Sequence, residues 1–231
     1  MSWLTQTFSS SIGRKFLTAL TGFFLIIFLI GHVTGNLLLF KPDEGRAFNE
    51  YTAFMTGNLG IMIVRYLLYA AILAHVIITL LLAYHNRKAR PVGYKKAAPS
   101  PHVSWSSRNM GILGTLVLIF IVIHMSNFWY SLKWGMVPTI NYQEGGDIKN
   151  LYVVVLDSFS NLWYTALYVV MMVFLSLHLM HGFQSAFQTL GWRHKKYWPI
   201  IRNVGFWFSI LVPIIFAAMP LYIYFFRNIN H

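Results

Sequence analysis

Apolar residues along this chain gather into long runs, and the polar residues are pushed to the gaps between them. Five runs, approximately residues 16–40, 61–84, 110–130, 162–187 and 204–226, consist almost wholly of Leu, Ile, Val, Phe, Ala and Met. About 20 residues of helix, at about 1.5 Å per residue, cross a hydrocarbon core of roughly 30 Å, so each run is long enough to do so. Open strands and lipid-exposed loops are excluded at that depth, because their backbone groups would find no water. The pattern predicts an all-α integral membrane protein: five transmembrane helices in one bundle, forming a single domain over residues 1–231. The opening MSWLTQTFSSSIGRKFLTALTGFF has basic residues before an apolar run, but no short apolar region ending at a small-residue cleavage site, and reads as a retained first helix.

The gaps carry the rest of the information. Residues 85–109, HNRKARPVGYKKAAPSPHVSWSSRN, are basic and hold Pro91, Pro99 and Pro101, which predicts an ordered loop. The gap from Lys133 to Asn161 is the longest, and its stretch LYVVVLDSF reads equally as an interfacial helix or as an extension of the fourth span. Trp129, Tyr130, Trp134, Trp163, Tyr164, Trp192, Tyr197 and Trp198 sit near segment ends, where interfacial aromatic belts belong. Only 10% of the chain is charged, against about a quarter in a soluble domain. The net charge of +12 could suggest nucleic acid, but its distribution excludes that. Arg14, Lys15, Arg87, Lys88, Arg90, Lys95, Lys96, Arg108, Arg193, Lys195, Lys196 and Arg202 fall in three gaps on one side of a five-span chain; all six acids fall on the other. The positive-inside rule puts the N-terminus in the cytoplasm and the C-terminus outside, with lipid headgroups as the first partner of the basic face. Cysteine is absent, which removes disulfides, thiolate metal sites, iron–sulfur ligation and covalently attached c-type haem.

Against this background the histidines stand out. Of nine, five lie inside apolar runs: His32 in the first span, His75 in the second, His124 in the third, and His178 and His181 in the fourth. An unpaired polar group in hydrocarbon costs roughly 2–7 kcal/mol. His32 stands nine residues before Lys41 and His124 nine before Lys133, so both lie about 13 Å inside the outer boundary. His75 stands ten residues before His85 and His178 nine before Phe187, each about 14–15 Å from the inner boundary. Two level pairs, each from two helices, are what bis-imidazole ligation of two haem irons requires, and bundle cores are where such cofactors sit. Gly31 and Gly35 around His32, with Thr34, and Gly182 one turn from His178 could make room for a flat macrocycle or serve close helix packing. Zinc or copper would want three or four ligands at one site. A histidine-lined transporter of metal ions or protons, the alternative function, would also need convergence on one site. His181 is assigned a supporting contact or the place of an alternative ligand to His178, while His85, His102 and His194 have no cofactor role.

Four stretches, SSSIGRKFLTALTG, GHVTGNLLLF, RYLLYAAILAHVIITLLLAYHNRKARPVGY and SLHLMHGFQSAFQTLG, complete the picture. With them the chain resembles, over nearly its whole length, the di-haem cytochrome b (b558-type) membrane anchor of succinate dehydrogenases and fumarate reductases. The resemblance implies a multi-pass protein of the bacterial cytoplasmic membrane whose first four helices bind two haem b groups. In the last stretch it makes the histidine four residues before the glycine, His178, the ligand. It further implies a flavoprotein subunit with FAD and an iron–sulfur subunit on the cytoplasmic face. Electrons from succinate would then reach a proximal haem at His75 and His178, a distal haem at His32 and His124, and quinone, usually menaquinone. No dicarboxylate chemistry is expected of the chain alone. The SIGRK stretch, with Ser11 and Lys15, resembles a serine and basic pair that contacts quinone in mono-haem relatives. Glu50, on the outer side, is a candidate proton carrier for a quinone site near the distal haem.

Overall fold

The fold is that of a computed structural model, which describes residues 10–89, 105–142 and 146–227. Seven helices organise it: α1 (Ser11–Asn36), α2 (Arg46–Gly57), α3 (Leu59–Lys88), α4 (Met110–His124), α5 (Leu151–Ser160), α6 (Leu162–Thr189) and α7 (Trp198–Tyr222). Further helical turns prolong three of them, giving five apolar stretches long enough to span a membrane: Ser11–Phe40, Leu59–Lys88, Met110–Trp134, Leu162–Thr189 and Trp198–Arg227. These are the five expected spans, and most are several residues longer than the apolar runs predicted. The reason is local. Helices begin at polar caps rather than where hydropathy rises: Ser10 Oγ accepts the N–H of Gly13, Asn58 Oδ1 that of Ile61, and Asn161 Oδ1 those of Trp163 and Tyr164.

Asn161 also settles the ambiguous stretch. With ψ at 120° it is extended, so LYVVVLDSF is a separate helix, α5, ending one residue before α6 begins, and not an extension of α6. The predicted loop 85–109 is different at its edges: α3 continues to Lys88, and a single turn forms over Trp105–Arg108; the part between lies outside the described residues. Helix α2 and a small antiparallel hairpin, β1 (Thr139–Asn141) with β2 (Asp147–Lys149) and Ile140 opposite Ile148, were not expected.

Helix α1 packs on α3 and α6, and α6 packs on α4; α3 and α4 touch only sparingly. The four therefore form a ring in the order α3, α1, α6, α4, with a loose seam where α3 meets α4. Helix α7 lies outside the ring against α6 and α1. Across the ring, α1 is diagonal to α4 and α3 to α6. Only Leu68 of α3 is fully buried, while Ile63, Leu67, Leu73, Ile77 and Leu80 are exposed. At about 25 cal/mol per Å² such a face is unfavourable in water and at home in lipid. The structure is a multi-pass membrane protein.

At one end, which carries the acids, α2, the hairpin and α5 form a cap over the bundle. Its pin is Asn49, with none of its surface exposed: Nδ2 donates to the Tyr142 hydroxyl (3.0 Å) and to Asn150 Oδ1 (2.8 Å), and Oδ1 accepts the N–H of Tyr152 (3.0 Å). The larger core lies beneath it, formed by Val33, Leu39, Phe48, Tyr152, Phe159, Tyr168, Met219 and their neighbours. At the other, basic end, Arg14 donates to the His85 ring, tying the start of α1 to the end of α3, and Phe23 and Phe187 meet Trp192. The α6–α7 contact depends on Gly205, where a Cβ would overlap the Phe183 ring.

Two outcomes follow. Gly205→Val should force α6 and α7 apart at an overpacking cost of about 1–3 kcal/mol, read as a lowered unfolding midpoint in detergent. Asn49→Ala leaves the Tyr152 N–H without its acceptor in a buried place. Its expected cost, also about 1–3 kcal/mol, should appear as earlier proteolysis at the acidic end of the molecule.

Candidate functional site: two histidine levels in the bundle

The diagonal order of the helices brings His32 of α1 toward His124 of α4. Their ring centres stand 5.7 Å apart with planes at 87°. Aromatic rings enclose them: Phe28 stacks on His32 and Phe216 of α7 tilts over it, while Phe120, Phe128 and Tyr168 surround His124. Each ring is engaged through Nδ1. The Asn36 amide, which donates to the His32 carbonyl oxygen at 2.8 Å, stands 3.4 Å from His32 Nδ1, and the Tyr168 hydroxyl stands 3.3 Å from His124 Nδ1. Immediately after His124 the helix widens into a π-helical stretch over Met125–Tyr130, a feature often found at functional sites.

On the other diagonal, His75 of α3 reaches α1. Its Nδ1 is 3.1 Å from Thr21 Oγ1, which itself donates to the Leu17 carbonyl at 2.8 Å and so accepts from the imidazole. A Cβ at Gly22 would stand 3.3 Å from His75 Cε1, so glycine there admits the ring. His178 of α6 lies against Gly114 of α4, where a Cβ would be 3.7 Å from His178 Cε1. It is within electrostatic range of both His75 and His181. Its Nδ1 is buried and has no hydrogen-bond partner.

These contacts measure the separation of the two diagonals three times. On α1 the residues meeting His75, Thr21 and Gly22, lie eleven and ten residues before His32. On α4 the residue meeting His178, Gly114, lies ten before His124. On α6 the residue meeting His124, Tyr168, lies ten before His178. Each count gives about 15–16 Å along a helix. Thus His32 and His124 share one level, nearer the acidic end, and His75 and His178 another.

The remaining expected residues fall elsewhere. Ser11 and Lys15 are exposed at the start of α1, about 15 Å and 9 Å before the Thr21 level. Glu50 is on α2, where its Oε1 accepts from Arg46 Nε at 2.7 Å, with both side chains half exposed. Gly35 packs against the Tyr51 ring, so its small size serves helix contact; Gly31 has open space around it, and Gly182 meets only Met110 at 3.9 Å. Among the described residues no three His, Asp or Glu side chains converge as a metal site. Thr21, Gly22, Asn36, Gly114 and Tyr168 were not singled out from the sequence, and Tyr164, assigned there to the interfacial belt, is hydrogen-bonded to Tyr168. Counting ten residues from a histidine toward the other level reaches Gly22, Gly114 and Tyr168, and one further step reaches Thr21.

No protein-family model matches the chain, and no curated protein or solved structure matches it.

One of the two pairs, His32 and His124, has the spacing of imidazoles on either side of a metal. With a metal–nitrogen bond of about 2.0–2.1 Å, two rings on opposite faces of one ion have centres roughly 6 Å apart. The His32–His124 spacing is close to that. A ligating imidazole gives its second nitrogen to a fixed acceptor: the Thr21 and Tyr168 hydroxyls stand where they can accept from His75 and His124, whereas the Asn36 amide nitrogen beside His32 Nδ1 donates, which puts the hydrogen of His32 on Nε2. The orphaned nitrogen of His178 marks a place where the chain alone leaves polarity unsatisfied.

Thr21→Val preserves shape but removes the side-chain acceptor of His75 and leaves it only the Thr18 backbone, and is expected to cost about 0.5–1.5 kcal/mol, read as a fall in the unfolding midpoint. Thr79→Val is the control and should change little, because that hydroxyl bonds only to the His75 and Val76 carbonyls of its own helix.

Proposed function

We propose that this chain is a di-haem cytochrome b that anchors a succinate- or fumarate-converting unit to the membrane and carries electrons between its iron–sulfur subunit and quinone. The observation that carries the reading is the pairing of histidines across both diagonals of one bundle at two levels about 15 Å apart. A pore lined for metal ions or protons would instead gather its histidines.

His32 and His124 would hold one haem b and His75 and His178 the other, with His181 one turn from the second. When bound, each haem supplies a one-electron carrier of which the protein sets the orientation, burial and electrostatics. The chain's own part is visible in its residues. Thr21 and Tyr168 hold imidazole tautomers; Phe28, Phe120, Phe128 and Phe216 exclude water from the level near the acidic end; Gly22 and Gly114 leave space beside the rings near the basic end.

In this reading the N-terminus and the basic end face the cytoplasm and receive the flavoprotein subunit, with its FAD, and the iron–sulfur subunit. Arg14, Arg87, Lys88, Arg108, Arg193, Lys195 and Lys196 supply the positive face. Two levels then divide the passage across the bilayer. With a low-potential quinone such as menaquinone the membrane potential contributes to the reaction, at about 2.3 kcal/mol per elementary charge per 100 mV. Quinone enters as substrate, with Ser11, Lys15 and Glu50 as the residues assigned to its handling.

A pyridine haemochrome assay on the purified chain should count two haem b per polypeptide, with low-spin bis-histidine bands in the reduced-minus-oxidised spectrum. His124→Ala should lose one haem and keep the other; retention of both would overturn the pairing. The isolated chain should show no succinate-to-dye activity.

A further inference from the structure

A hydrogen-bonded thread runs from His124 to Tyr168 and on to Tyr164: His124 Nδ1 lies 3.3 Å from the Tyr168 hydroxyl, and that hydroxyl lies 3.0 Å from the Tyr164 hydroxyl. Tyr168 has room to accept from the imidazole while donating its own hydrogen to Tyr164. With Nε2 given to a metal, the hydrogen of His124 has to sit on Nδ1, where Tyr168 receives it.

We infer that the thread Tyr168–Tyr164 is a device for holding His124 in the Nδ1–H tautomer, with Tyr168 as the positioning residue that sets the donor strength of Nε2 toward a bound metal. This rests on the haem reading above. An N–H that donates raises the basicity of the opposite nitrogen, and successive hydrogen bonds polarise one another. A more basic ligand favours the oxidised iron and so lowers the reduction potential of the site. Neither tyrosine would ligate, and neither is exposed enough to act as a surface anchor.

The test is redox titration of the haem-loaded chain in detergent, following each haem by its visible band. The midpoint belonging to the His124 site is the one that disappears in His124→Ala. Tyr168→Phe keeps the ring and removes the acceptor. It should retain two haems and shift that midpoint alone to more positive values, by a three- to tenfold loss of preference for the oxidised form. At 59 mV per decade for a one-electron couple this is about 28–59 mV. Tyr164→Phe, which leaves Tyr168 in place without its own acceptor, should shift it in the same direction by less, and Tyr66→Phe, at an exposed tyrosine off the thread, should not shift it. An unchanged midpoint in Tyr168→Phe, or equal movement of both midpoints, overturns the inference while leaving the haem reading intact. Absence of haem from the wild-type chain overturns both. Should Tyr168→Phe fail to insert, Tyr164→Phe decides: a positive shift confined to the His124 site supports the thread, and no shift overturns it.

Discussion

An imidazole inside hydrocarbon has two nitrogens and no water for either, and the bundle is arranged around that constraint. For three of the histidines the chain supplies a side-chain partner at Nδ1: the Asn36 amide, a donor, for His32, and the Thr21 and Tyr168 hydroxyls, which can accept, for His75 and His124. An unmet buried donor costs about 1–3 kcal/mol, so four histidines with their second nitrogens open would be a heavy load on a domain of ordinary stability, whose whole margin is about 5–15 kcal/mol. The load is tolerable if the open nitrogens are where something binds. That accounting makes a binding role the economical description of these residues, and the spacing of His32 and His124 says what kind of group would fit.

The five spans were legible because apolar length is decisive in a membrane: nothing but a helix satisfies its own backbone there. The cap was not. Helix α2, RAFNEYTAFMTG, is short and only weakly apolar, and it exists because Asp43 bonds the N–H groups of Gly45 and Ala47 at its start and because Asn49 and Phe48 reach the core. Those are tertiary causes, with no periodic trace. The fourth run was expected from residue 162, where α6 does start, but whether LYVVVLDSF continued it stayed open for a similar reason, since a single extended residue, Asn161, separates two apolar helices.

The histidine levels were legible in part. Depths taken from each boundary, about 13 Å and 14–15 Å, would leave the two levels only a few ångströms apart within a core of roughly 30 Å. The helices resolve this by being longer than the core. At 28 to 30 residues, α6 and α3 are about 42–45 Å long, which accommodates both depths with about 15 Å between the levels. Depth paired His32 with His124 and His75 with His178, but not the order of the helices that puts each pair on a diagonal, which is set by contacts such as Gly205 with Phe183 and Gly22 with His75. Tyr168 and Thr21 went unseen because a tyrosine or threonine in a span is ordinary until the residue opposite it is known.

The loose seam between α3 and α4 bears on how the bundle holds together. Small-residue contacts and hydrogen bonds join α3 to α1 and α4 to α6, but between the two halves of the ring the α1–α6 contact carries most of the packing. Without a hydrophobic drive between helices in lipid, association relies on such close contacts. A group bridging His32 to His124 and another bridging His75 to His178 would tie α1 to α4 and α3 to α6, crossing the ring where its own packing is thinnest. Any ligand that binds only the assembled state stabilises it, by about 2.7 kcal/mol at a hundred times its dissociation constant. Two such ligands on crossed diagonals would act on all four helices at once. In the proposed reading the seam is therefore the counterpart of the cofactors: the helices stand apart there because the bridging groups, rather than side chains, are what close the ring.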